Sequence, residues 1–408
     1  MKKLVPAVVL SCHTIGLTVI RCLGSQAVPI IAVYYRKCDM GYVSKYVKKA
    51  IYAPHPEKYP EAFINLLLDI ANTMGRCVLI PADDATLSVV SKYKKVLEQK
   101  HLVACTGWEI AEKFINKKFT YQLAADSGVP TPRTVIPNSI EEVQAYGKKM
   151  EYPCLVKPCE SHKYYEIFRK KMMRVGNINQ MVHAYQQAKA AGLEVMLQEL
   201  IPGDDASGAN YNSYFWNGQP IIEFTAEKVR LTPPCFGVPR VVVSKDIPEI
   251  IELGRSILDR LGYFGYSCTE FKKDRRDGVY KLMDVNGRHN LSALLAVHCG
   301  INFPWVEYQN LVTKKLTPKY FYQTEPVCWI DICHDIFCSL KFFKTEKYSL
   351  REYIRPYLRG HAFAVWDIRD LRPFIKRLMD LGKKACLQLY NRFISLKLSK
   401  SSNHIVFF

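Results

Sequence analysis

No stretch of the sequence reaches the roughly 20 uninterrupted apolar residues that a membrane-crossing helix needs. The apolar run behind the basic start Met1-Lys2-Lys3-Leu4 breaks at Ser11, Cys12 and His13. Val5–Leu10 therefore reads as a buried strand and not as a secretion signal. CxxC pairs are missing too. The 14 cysteines are scattered over 408 residues, which points to reduced thiols in a cytoplasmic setting and away from a disulfide scaffold. Cys328, Cys333, His334 and Cys338 cluster in sequence, but their spacing fits no trusted zinc pattern, so they read as buried thiols. Internal repeats and low-complexity tracts are absent. Acids are also in short supply: 38 Asp and Glu face 57 Lys and Arg, for a formal charge of +19. About half of that surplus lies between Lys341 and Lys400, where 15 basic residues meet five acidic ones, a net +10. Such a segment attracts phosphates, anionic lipid heads or nucleic acid.

What is present is ordinary globular composition, 49% hydrophobic and 23% charged, at a length that suggests two to four domains. The first third alternates strand and helix. Pro6–Leu10, Pro29–Tyr34 and Cys77–Ile80 read as strands, and Gly16–Leu23, Glu61–Met74 and Thr86–Gln99 as helices. This alternation predicts a parallel, doubly wound sheet. Beyond it come a helix ending at Gly128-Val129-Pro130, helices over Ile140–Lys149 and Ile178–Ala191, and strands at Cys154–Val156 and Glu194–Glu199. Strands follow between Tyr211 and Val243 with a turn at Asn217-Gly218. A helix over Ile247–Leu261 leads to a hairpin over Thr269–Val285 that turns at Asp277-Gly278.

Residues suited to phosphate and metal chemistry fall in a fixed order along these elements. Lys117 precedes a helix, and Lys157 ends an apolar strand, where it can present a fixed charge to polyphosphate oxygens. Gln198 and Glu199 close another strand and lead into Leu200, Ile201, Pro202, Gly203, Asp204 and Asp205. Glu270 lies on one arm of the last hairpin, with Asp284, Asn286 and Arg288 on the other. Asp284 and Asn286 are two apart on a strand and so share a face. Two carboxylates and an amide oxygen are the hard donors magnesium prefers. Singly, each feature reads as readily as solvated surface; the ordered set is far more specific.

That set, over about residues 110 to 310, resembles the ATP-grasp superfamily, and the preceding third resembles its usual Rossmann-like leading domain. "NKKFTYQLAADSGVPTP" and "YPCLVKP" are similar to its two lysine motifs, "LQELIPGDD" to its adenine hinge and ribose-binding acid, and "CTEFKKD…GVYKLMDVNGRHNLS" to its metal hairpin. The openings "IGLTVIRCLGSQAVPIIAV" and Ser44-Lys45-Tyr46 resemble those of the carboxylate–amine and D-aspartate-ligase-like branch. The resemblance implies a fold of two α+β lobes clamping ATP behind a leading domain. Expected boundaries are 1–112, 113–325 and a basic, partly helical region 326–408. It also implies that Lys117 and Lys157 hold the α- and β-phosphates and that Glu199, Leu200 and Ile201, after Gln198, face adenine. Asp205 would take the ribose, with Asp204 as the neighbouring alternative. Glu270, Asp284 and Asn286 would bind Mg2+, with Mn2+ as an acceptable substitute, and Arg288 would neutralise the transferring phosphoryl group. Lys228, Arg230 and Arg240 would face the substrate carboxylate, alternation placing the first two on one face.

Three positions depart from the family pattern. Asp284 replaces a usual Glu, Gly287 replaces a proline, and no glycine-rich lid follows the second lysine. Ser161, His162 and Lys171 stand in the lid's place, as phosphate clamps or as exposed loop residues. Pro373–Leu398 has an apolar stripe with Lys and Arg at other positions, an amphipathic basic helix. It suits packing on the core or docking on an anionic membrane surface, and no nucleic-acid motif accompanies the charge. The expected reaction joins a small-molecule carboxylate to an amine through an acyl phosphate, releasing ADP. One partner is expected to be an amino acid and the other anionic or glycan-linked. The expected setting is cytoplasmic or peripheral at the inner membrane face, and a homo-oligomer is compatible with it. Rival outcomes are carboxylation (without a biotin-carrier segment), kinase action, or a catalytically weak ATP-binding module of a membrane assembly.

Overall fold

The computed structural model describes residues 4–235, 237–315, 326–346 and 348–401. Its leading sheet contains β1 (Ala7–Leu10), β2 (Ile30–Tyr34), β3 (Val47–Tyr52), β4 (Val78–Pro81) and β5 (Leu102–Val103), in the order β3-β2-β1-β4-β5. All four pairings are parallel. Its inner strands β1 and β4 are apolar throughout and wholly buried, as strands covered on both faces must be. Helix Thr14–Gly24 leaves β1 so closely that a side chain on Gly16 would meet the Ser11 carbonyl oxygen at 2.0 Å. β3 escaped the sequence reading because it is an edge strand with three exposed residues in its middle and no apolar run.

A small antiparallel sheet follows, built from β6 (Thr134–Val135), β7 (Cys154–Pro158), β8 (Met173–Val175) and β9 (Val195–Glu199) in the order β6-β9-β7-β8. Helices Ile140–Gly147 and Ile178–Ala190 cover it through Val143, Met181 and Ala184. The third sheet has seven strands: β10 (Gly208–Trp216), β11 (Gln219–Thr232), β12 (Val238–Ser244), β13 (Gly265–Lys273), β14 (Tyr280–Asn286), β15 (Val327–Ile330) and β16 (Gly360–Phe363). Their order is β14-β13-β10-β11-β12-β15-β16, and only β15 and β16 run parallel. Asn217 and Gly218 both take positive φ at the β10–β11 turn, as the Asn-Gly pair predicts.

One face of this large sheet packs on helix Pro248–Arg260 through Tyr211, Phe215 and Phe271. The other face shares one core with the leading sheet, bridged by helices Ala293–His298 and Phe303–Thr313. The layered α/β architecture and the leading domain match the sequence-based expectation. The region set apart at 326 behaves differently, because β15 and β16 extend the large sheet. Helices Ile332–Glu346 and Leu350–Leu358 lie next to them, and a final helix runs Arg372–Ser401. Among the described residues no helix is long and apolar enough to cross a membrane.

Candidate active site

The floor of the site is the hairpin β13–β14. Antiparallel register sets Glu270 opposite Asp284 and Cys268 opposite Asn286, so the three oxygen-bearing side chains stand together on one face. The Asn286 amide nitrogen donates to Glu270 Oε1 at 3.3 Å. Lys228, from β11, forms an ion pair with Glu270, and Lys117, the first residue of helix Lys117–Asp126, forms one with Asp284. Lys157, next to last in β7, is held by two contacts, donating to the Tyr121 hydroxyl at 2.8 Å and to the Met283 carbonyl at 2.9 Å. The two lysines expected to face phosphate thus converge on one hairpin from opposite lobes.

Burial alone would raise the Glu270 carboxyl, but Lys228 beside it, helped by Lys171 and Lys117, brings it down to about 2. Burial lowers the Lys228 ammonium, and Glu270 more than reverses this, for a net rise. Lys157 stays below its ordinary value because burial outweighs the attraction of Asp284 and Glu270. Lys171 is lowered for the same reason, with Glu270 pulling against it and Lys228 repelling it. Four ammoniums (Lys117, Lys157, Lys171, Lys228) against two carboxylates leave a surplus of two positive charges in a partly desolvated cleft. Such a cleft favours a polyphosphate anion. Among the described residues no cluster of three or more His, Cys, Asp or Glu is suited to a metal. Glu270, Asp284 and Asn286 supply hard oxygen donors, so they fit magnesium only if the nucleotide provides further ligands.

No family model matches the chain. A D-aspartate ligase of Enterococcus faecium (strain Aus0004) is 25% identical over 262 residues, 59% of this chain and 61% of that protein, so the match spans about three fifths of the curated relative. Among solved structures, the biotin carboxylase domain of Hydrogenobacter thermophilus 2-oxoglutarate carboxylase, bound to MgADP and bicarbonate, superposes with a TM-score of 0.63. That match covers 79% of this chain and 72% of the other at 16% identity. An ADP complex of N5-carboxyaminoimidazole ribonucleotide synthetase gives 0.62 over 84% and 87% at 13% identity, and the L-amino acid ligase of Bacillus licheniformis gives 0.60 over 78% of each chain at 16%. The chain has the ATP-grasp fold.

In this fold the chain leaves β9 through Glu199, Leu200 and Ile201, the segment expected to face adenine. The Glu199 carboxylate is occupied, accepting from the Arg133 backbone and Nε at 2.9 and 3.1 Å and from Arg276 at 3.3 Å. Gln198 donates to Thr134 at 2.9 Å. Asp205, expected at the ribose, accepts from the Leu231 and Cys235 amides at 2.7 and 2.6 Å and so anchors the end of β11 and the turn after it. Asp204 forms an exposed ion pair with Arg275. In place of a glycine-rich lid stands helix Ser161–Phe168, with Ser161 as its half-buried first residue. His162 pairs with Glu57 at 2.8 Å and His55 with Glu166 at 3.3 Å, so two histidine–glutamate contacts latch this helix to the leading domain.

Arg230 and Arg240 also depart from expectation. The β11–β12 register shifts on both sides of Arg230, so regular alternation is interrupted there. Arg230 instead forms two bonds to Asp335, at 2.8 and 2.7 Å, and Arg240 pairs with Glu346 and donates to Ser339 at 3.0 Å. Both arginines are buried and tie the C-terminal helices to the sheet. Arg288 does stand at the cleft, gripped by Asp84 of the leading domain at 2.7 and 3.0 Å. Burial would raise Asp84, but Arg288 holds it at about 2. Asp84 and Tyr121 are positioning residues. The strand-end Asp83-Asp84 reads from the sequence as a ligand-binding position or a structural turn, and nothing in the sequence marks Tyr121. Gly287 is closely packed: a side chain there would meet Phe114 at 3.2 Å, the Tyr263 hydroxyl at 3.4 Å and Leu87 of the leading domain at 3.6 Å. His289 is buried against Glu307 at 3.0 Å and stacks on Tyr266.

Proposed function

We propose that this chain is an ATP- and magnesium-dependent carboxylate–amine ligase. The observation that carries the reading is the convergence of Lys117, Lys157 and Lys228 on the Glu270, Asp284 and Asn286 face. Lys117 and Lys157 hold the phosphates from the two lobes, with Lys171 as a further clamp and Ser161 at the lid entry. Glu270, Asp284 and Asn286 hold the cation, which supplies charge neutralisation on the phosphate oxygens. The Gln198–Ile201 strand end receives adenine through its backbone. Arg288, pre-oriented by Asp84, and Lys228 lie where a substrate carboxylate would need cations to approach a triphosphate.

The substrate carboxylate oxygen attacks the γ-phosphorus and the bond to ADP breaks, giving an acyl phosphate. The amine then attacks the acyl carbon, phosphate leaves, and one proton goes to solvent. The chain's contribution is positioning and charge neutralisation. The similarity to a D-aspartate ligase supports an amino acid as one substrate, and the basic surplus supports an anionic or glycan-linked partner, handled in the cytoplasm. An ADP-release screen over amino acids and amino sugars tests this reading. Turnover that rises only when an amino acid and an amine acceptor are both present supports it, and ADP release indifferent to every candidate refutes it.

A further inference from the structure

The C-terminal helices are built inside out. Helix Ile332–Glu346 turns Asp335 inward, wholly buried, and turns Ile336, Phe337 and Leu340 outward, with Leu340 76% exposed. Helix Leu350–Leu358 directs the Tyr357 hydroxyl to Asp335, 2.6 Å away, while Leu350, Ile354 and Leu358, four residues apart, face solvent. Leu358 is 80% exposed. Helix Arg372–Ser401 buries Arg377 against Asp331 at 2.9 Å and His334 at 3.3 Å, and exposes Ile375, Leu378 and Met379. These contacts join the three helices into one layer whose interior holds ion pairs and whose outside holds leucine, isoleucine and phenylalanine.

A face of this composition in water calls for an apolar phase to cover it. We propose that this layer docks the protein on an anionic lipid bilayer as a peripheral surface. The charge argument selects that occupant. Lys341, Arg351, Arg355, Arg372, Lys383 and Lys384 are exposed along the same helices, and the segment from Lys341 to Lys400 carries a net +10. Two copies apposed through this face would bring like charges together, which disfavours a dimer here. A bilayer with anionic headgroups meets both features at once: its surface potential attracts the basic residues and its acyl boundary receives the apolar stripes. The inference is independent of the proposed reaction.

The test is flotation of the full chain with phosphatidylcholine vesicles, pure or with a third of the lipid replaced by phosphatidylglycerol. Binding is expected to the anionic vesicles and not to the neutral ones, and to fall as salt shortens the Debye length below its physiological value of about 8 Å. The triple variant Phe337→Asp, Leu340→Asp, Leu358→Asp changes only exposed positions, so the fold is kept, and it should lose about tenfold or more of the bound fraction. Arg351→Glu with Arg355→Glu should lose binding most at low salt. Full-length protein that ignores anionic vesicles at low salt overturns the proposal. So does a triple variant that binds like the parent, or sedimentation showing a parent dimer and a monomeric triple variant, which would assign the face to a second copy.

Discussion

Replacing Arg230 by methionine separates two roles that the sequence alone does not distinguish. The guanidinium makes two charged hydrogen bonds to Asp335, and the two side chains are 1% and 0% exposed. Removing one member of a buried pair strands the other charge in a poorly solvated interior, which costs about 3–5 kcal/mol. Against a typical unfolding free energy of about 5–15 kcal/mol, that is a large share of the total. Asp335→Leu should cost more, because Asp335 also lies 3.6 Å from Arg240 and accepts from Tyr357 at 2.6 Å, so its loss strands Arg230, weakens the hold on Arg240 and leaves the Tyr357 hydroxyl without its acceptor. Urea titration followed by tryptophan fluorescence reads the effect, since Trp329 is buried in β15, the strand paired with Arg240's own. The expected result is a midpoint lowered for Arg230→Met and lowered further for Asp335→Leu. If Arg230 instead contacts substrate, Arg230→Met will keep the parent midpoint and raise only KM for the carboxylate; that outcome refutes the structural role.

Asp284→Asn preserves shape while removing a charge from the oxygen-donor face, so turnover should fall by about 10²-fold or more with an unchanged circular dichroism spectrum; normal turnover would remove Asp284 from the site. The lid latch is pH-dependent in both directions. Burial opposes but Glu57 raises His162, so its contribution is full below the ordinary histidine range near about 6.5 and is lost as pH rises through the raised value. Burial opposes but His162 lowers Glu57, whose contribution is present above the ordinary carboxylate range and lost as pH falls through the lowered value. Hydrogen exchange of residues 159–172 should accordingly be slowest between those limits, and His162→Gln should flatten the profile. Asp84→Ala frees Arg288, and the expected sign is a raised KM for the carboxylate with ATP binding kept, measured by nucleotide titration.

The periodic parts of the fold were legible because local pattern and tertiary role agree there. β1, β4 and β7 are short apolar runs that stay buried, and Asn217-Gly218 and Asp277-Gly278 turn the hairpins they mark. Glu270, Asp284 and Asn286 could be grouped because hairpin register is short-range geometry. What failed is what depends on irregularity or distance. Register shifts on both sides of Arg230 make that part of β11 irregular, and no pattern in sequence encodes such shifts. The partners of Arg230, Arg240 and Arg288 lie 105, 106 and 204 residues away in Asp335, Glu346 and Asp84. Asp205 looked free for a ligand because the backbone amides that engage it belong to a turn some 30 residues on.

The central claim is that the cleft transfers the γ-phosphoryl group to a carboxylate and shields the product until an amine arrives. Hydroxylamine, small and strongly nucleophilic, tests it most directly when the protein is given ATP, magnesium and a candidate amino acid without an amine acceptor. The account predicts a hydroxamate formed in step with ADP, abolished in Asp284→Asn and dependent on the amino acid. AMP and pyrophosphate, or ADP with a stable phosphorylated product and no hydroxamate, would contradict it.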